Sequence, residues 1–292
     1  MPLLLDSFWR AAAYCLRPRV ILLSLLPLAL MVLLAAGFGY FYWDASLARA
    51  RELLDAWPLL ASFWDWTGKF FSGDVRAVVA PLLLVVAATP LLVVVSLLVV
   101  SAFMAPALTR MVAERRFPAL VQKKGSTVLG SIARSVGITL LALVALVLSM
   151  PLWLVPPLVL ILPPLIWGWL TYRVMSFDAL ADHASAEERE TLLREHRLPL
   201  LGIGVLCGYL GAAPSIVWAS GVVFAAAFVV LAPIAIWIYT LVFAFSALWF
   251  SHYCLDALGR LRAQRAAAAA VTLDAAPQIA VDRDSATQWG SP

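Results

Sequence analysis

Four long stretches of this chain carry no aspartate, glutamate, lysine or arginine: Val20 to Trp43, Ala77 to Thr109, Ser135 to Tyr172, and Leu198 to Leu255. A helix crossing the hydrocarbon layer of a bilayer needs about 20 predominantly apolar residues. The first two stretches therefore hold one spanning helix each, and the last two are long enough for a pair. Each long stretch has turn-formers near its middle: Pro156-Pro157 and Pro163-Pro164 in the third, Gly211 and Pro214 in the fourth. Proline lacks the amide donor and clashes with the preceding turn, so both are read as helical hairpins that leave and return on one side. The chain is 63% hydrophobic and 13% charged, where a water-soluble domain carries about 25% charged residues. Lipid must be the solvent. Unpaired backbone groups cost several kcal/mol in lipid, which excludes open strands. The expected fold is all-α: a polytopic integral membrane protein with two long spanning helices and two hairpins, crossing or re-entrant. Residues 1–265 form the membrane domain. Residues 266–292 begin with an alanine run and turn polar, a composition with too little apolar surface to pack that is expected to stay disordered on the cytoplasmic side.

Basic residues set the orientation. Arg49, Arg51, Lys69 and Arg76 lie between the first two spans, against five acids. If the N-terminus is inside, only these four of 21 basic residues are outside, as the excess of lysine and arginine in cytoplasmic loops requires. Both termini are then cytoplasmic, in a multi-pass membrane protein. The strongest basic segment contains Arg110, Arg115, Arg116, Lys123 and Lys124. The net charge of +4 calls for anionic lipid rather than nucleic acid as its partner.

The first apolar run is too long for a signal-peptide core and ends in Tyr40-Phe41-Tyr42-Trp43 rather than in a small-residue cleavage site. Phe8 to Leu16 reads as a short interfacial helix. The external aromatics Trp57, Phe63, Trp64, Trp66, Phe70 and Phe71 suit either interfacial packing or a substrate platform. Ser185 and Glu188 fit a capping box that starts a polar helix running to about His196. His183, with Asp178 and Asp182, reads as a solvated face, and His252 as an interfacial residue. Gly204 and Gly208 permit close helix contact, within the protomer or between copies. Cys15, Cys207 and Cys254 have no short spacing, so neither a metal site nor a disulfide framework is indicated. No cofactor motif, phosphate loop or nucleophile–base pair is visible, which argues against an enzyme. Acidic residues, lysine and arginine at depth, which proton relays keep, are missing from all four runs. Anions can still be met by helix N-termini.

In order and spacing the chain resembles the bacterial CysZ sulfate permeases and the wider family named after etoposide-induced protein. The likeness covers about Ser7 to Leu258. Phe8-Trp9-Arg10, Tyr14, Pro18 and the run to Pro27 match its N-terminal helix and first span. Ala105-Pro106 with Glu114-Arg115-Arg116, then Tyr172-Arg173 to Asp178, then Arg197 to Pro214, match later blocks. The resemblance implies a protein of the bacterial inner membrane with two long spans, two hairpins that enter the bilayer partway, a homo-oligomer, and sulfate uptake. In those permeases paired arginines at the head of the first span help hold sulfate; here Ile21 and Leu22 stand at the corresponding positions. Arg17 and Arg19 flank Pro18 instead, either as substrate contacts or as snorkelling anchors. Two functions follow: a permease for sulfate or another small anion using Arg17 and Arg19, or a non-transporting organiser whose segment from Arg110 to Lys124 binds lipid or a partner.

Overall fold

The computed structural model describes residues 2–56, 75–123, 128–212 and 221–287. Nine α-helices and one 3-10 turn, and no strand, occur among the described residues. They are α1 (Pro2–Cys15), α2 (Pro18–Phe41), α3 (Trp43–Ala56), α4 (Val75–Arg116), α5 (Val128–Ser149), α6 (Pro156–Leu180), α7 (Ala186–Glu195), α8 (Arg197–Ala212) and α9 (Gly221–Thr287). Four are long and apolar enough to cross a membrane: α2, α4, α5 and α9. Large apolar side chains point outward along them, including Leu33, Val86, Leu98, Leu140 and Val147. Such faces are stable only in hydrocarbon. The fold is a polytopic helical membrane protein.

Prolines mark helix starts. Pro18 and Pro156 occupy the first turns of α2 and α6, where a missing amide costs nothing. Val155, before Pro156, is extended with φ −95° and ψ 109°, as the residue preceding a proline prefers. The third charge-free run therefore breaks at Met150–Leu154, a 3-10 turn, and α5 packs back along α6. Pro163 and Pro164, expected to help interrupt this run, lie inside α6. Each removes one intrahelical bond, and the remaining ladder carries the helix through.

The chain divides into two compact units whose boundaries fall inside α4 and α9. One unit comprises 1–16, 105–213 and 244–292. Its centre is the buried stretch of α9 around Trp249, Phe250, Leu255 and Leu258. The ring of Phe8 on α1 meets Trp249 edge-on at 5.0 Å, and the Trp249 indole donates to Ser7 Oγ at 3.1 Å. Leu5 and Trp9 on the same helix face outward, so α1 has the doubly apolar character of an interfacial helix. Helix α8 packs on α6. A Cβ added to Gly204 would collide with the Gly168 carbonyl, and one added to Gly168 would lie 2.6 Å from Val205 Cα. The small-residue pattern thus serves packing within the protomer.

The other unit comprises 17–104 and 214–243. In it the Trp237 indole donates to Ser24 Oγ at 2.9 Å, and Ser24 donates to Ile21 O at 2.7 Å. Leu47 and Leu54 of α3 meet Val79 and Ala80 of α4. The two limbs of the fourth run, α8 and the start of α9, fall in different units. The turn expected at Pro214 and the aromatics Trp57, Phe63, Trp64, Trp66, Phe70 and Phe71 lie outside the described residues.

Helix α9 runs on past Arg265 to Thr287. Alanine is the strongest helix former, so the run beginning at Ala266 propagates the helix. Residues 263–271 are nonetheless exposed, as a segment poor in packing surface should be.

Candidate functional site

Arg17 is the N-cap of α2, extended at φ −73° and ψ 138°. The amides of Val20 and Ile21 both donate to its carbonyl, at 2.9 and 3.1 Å. Pro18 has no amide to offer. The first turn is thus poor in backbone donors, and an anion held here would depend on the Arg17 and Arg19 side chains. Arg17 is half-buried and Arg19 exposed. Leu22, where the resemblance places an arginine, is an exposed apolar residue.

Part of the basic segment at the end of α4 and just beyond it is drawn inward. Arg116 donates to Asp6 at 3.0 Å and lies 3.9 Å from Asp256. Its guanidinium also stands 3.3 Å from His252 Nδ1. Lys123 binds Glu188 at 2.7 Å. Arg110 reaches Asp182 only at 3.9 Å, and Arg115 is exposed. Lys124 lies outside the described residues. Glu188 also accepts from Arg262 at 3.0 and 3.1 Å and from the Ser185 amide at 2.9 Å. The Arg262 hydrogen bonds, with help from Lys123 and the Ser185 amide, overcome the cost of burial and hold the carboxyl at about 2. Asp6 is likewise held below the usual range, chiefly by Arg10.

The capping box forms as expected: Ser185 Oγ accepts from the Glu188 amide at 3.2 Å. The reading of His183 as solvated does not hold, because its side chain is 1% exposed. Burial pushes its pKa down, and pushes Asp178 up to about 6. His252 is fully buried, with the Tyr14 ring 4.8 Å away. Among the described residues no three His, Cys, Asp or Glu side chains converge as metal ligands.

A feature missed in the sequence lies between α6, α7 and α8: a cavity of about 540 Å³ walled by Trp169, Tyr172, Arg173, Arg189, Arg194 and Arg197. Among the described residues, Glu190 is the one carboxylate in its lining. Arg189 is 7% exposed, with its guanidinium 4.4 Å over the Phe177 ring. Arg173 sits 5.7 Å from the Trp169 ring, and its buried Nε makes no hydrogen bond. Counted along the chain, these arginines register only as inside-positive punctuation. The available signal was the helical spacing of Trp169, Tyr172 and Arg173 on α6 next to the Glu190–Arg194 turn of α7.

The family model described as "Sulfate transporter CysZ/Etoposide-induced protein 2.4" matches residues 7–220. No curated protein and no solved structure matches the chain. The matched stretch starts where the resemblance starts, at Ser7, and stops short of Leu258. It takes in Arg17, Arg19, the basic segment and the cavity of α6 to α8.

Proposed function

This chain belongs to the sulfate transporter CysZ/etoposide-induced protein 2.4 family, and we propose that it is a permease or channel-like protein for sulfate or another small anion. The observation that carries this reading is the family match, whose description names a sulfate transporter. The charge-free spans support it further. With no aspartate, glutamate, lysine or arginine inside them, a proton-coupled relay has few carriers, and passive conduction is the simpler mechanism. The protein sits in the bacterial inner membrane with both termini cytoplasmic, as a homo-oligomer. Arg17 and Arg19 are its anion contacts at the head of α2.

The organiser reading needs its cations facing outward. Arg116 and Lys123 are engaged by acids of the same unit; Arg110 and Arg115 stay available to that reading, and Lys124 lies outside the described residues.

Uptake of radiolabelled sulfate into proteoliposomes tests the permease. Protein-dependent flux is expected, and the Arg17→Ala, Arg19→Ala double variant should lower it about tenfold, the effect of losing one charge-assisted contact. Absence of any protein-dependent flux would overturn the permease. Unchanged flux in the double variant would remove those two arginines from the site.

A further inference from the structure

We propose that the cavity between α6, α7 and α8 binds a phosphate or sulfate group at the level of the lipid headgroups, as a site separate from the head of α2. Charge is the first argument. Four guanidinium groups share this cavity with a single carboxylate, Glu190. Nearby, Glu188 shows what this protein does with cations it intends to neutralise: Arg262 and Lys123 converge on one buried carboxylate. Among the described lining residues of the cavity, arginines outnumber carboxylates four to one. An excess of positive charge in a partly enclosed space selects anions, and guanidinium forks match the oxygen spacing of phosphate and sulfate in particular.

Orientation of the arginines is the second argument. Arg189 is held beneath the surface against Phe177. Arg173 rests between the Trp169 and Tyr172 rings at 5.7 and 5.9 Å, its buried Nε still without an acceptor. The walls are fixed as well. Helix α7 is locked by its capping box and by the Glu188 pairs, and α6 is locked to α8 at Gly168 and Gly204. A pre-formed site loses less freedom on binding.

Depth is the third. The charge-free run of α6 ends at Tyr172, and that of α8 begins at Leu198. The cavity lies between them, where apolar helices give way to the polar α7. Trp169 and Tyr172 in its wall are residue types enriched at this level of a membrane. A phosphate carried on an anionic lipid and a free oxyanion from the water can both reach it, and they present the same tetrahedral oxygens.

The test uses the full chain with Arg17→Ala and Arg19→Ala, so that the head of α2 contributes nothing. In one arm, inorganic sulfate and phosphate are titrated in neutral detergent by calorimetry. In the other, native mass spectrometry compares retention of phosphatidylglycerol and phosphatidylcholine. Binding in the first arm identifies a free-anion site, and selective retention of phosphatidylglycerol identifies a lipid site. In whichever arm binds, Arg194→Gln with Arg197→Gln should weaken affinity about tenfold, while Glu190→Gln should strengthen it about threefold. A gain of affinity cannot come from misfolding, so Glu190→Gln decides the matter if the arginine variants fail to fold. Binding in neither arm, or an affinity that Glu190→Gln leaves unmoved, would overturn the proposal.

Discussion

Glu188 accepts from Lys123, from two nitrogens of Arg262 and from the Ser185 amide, with 3% of its side chain exposed. Removing a buried charge leaves the partner's hydrogen bonds unmet, and bonds to charged groups contribute about 1.5–3 kcal/mol each. Glu188→Gln should therefore destabilise the protein by about that amount, read as a lower thermal midpoint in detergent at pH 7. The pH dependence has a definite sign. The folded carboxyl titrates near 2 against an ordinary value of 4.5, so the unfolded chain binds more protons between those values. Stability from this group is complete above about 4.5 and is lost as pH falls toward 2. Glu188→Gln should flatten that part of the melting profile. His183, whose pKa is lowered by burial, acts in the same direction at higher pH: its contribution is complete above 6.5 and declines as acid charges the ring. The Ser185–Glu188 box was legible in the sequence because it is local. The Arg262 and Lys123 partners were not, since they arrive from 74 and 65 residues away, and a sequence window contains no such contact. The burial of His183 and His252 was hidden for the same reason.

Helices α6 and α8 approach closely enough that Gly204 faces the Gly168 backbone, with Tyr172 Cβ 3.1 Å from where a Cβ would stand. Backbone cannot step aside as a flexible side chain can. Gly204→Ala should cost about 1–3 kcal/mol by overpacking and separate the two helices. Gly202, two residues earlier, has open space at its Cβ position. Gly202→Ala should be neutral or stabilise by about 0.5–1 kcal/mol, because alanine favours helix over glycine. Equal loss in both variants, measured by thermal unfolding, would contradict the geometry. The four-residue spacing of Gly204 and Gly208 marked them as the contact pair, and only the partner helix shows which backbone they meet. Gly168 had no spacing pattern to announce it. Element limits were clearer: Pro18 and Pro156 lie at helix starts, where local sterics decide. Pro163 and Pro164 failed as breakers because a neighbouring break at Met150–Leu154 had already let the chain reverse.

At the scale of the whole molecule, hydropathy set the fold class and charge set the expected orientation, while the two compact units were invisible to both. Their composition now bears on topology. Arg10, Arg110, Arg116, Lys123, Arg262 and Arg265 all belong to the unit built on α1, α7 and the end of α9, and most of them pair there with acids. Arg49 and Arg51 belong to the other unit, on α3. A membrane that keeps basic segments inside would place the first group in the cytoplasm and α3 outside. Impermeant maleimide can read this directly. Cys207 and Cys254 are buried, so Cys15→Ser leaves a background with no accessible thiol. In that background Arg51→Cys, exposed on α3, should label in intact cells after removal of the outer membrane barrier. Val121→Cys, 68% exposed beside the basic segment, should label only once the inner membrane is permeabilised. The reverse pattern would invert the protein and move the Arg17–Arg19 end of α2 to the outer face. An anion taken up would then meet those arginines before the apolar span rather than after it, so the labelling result also fixes which step of permeation they serve.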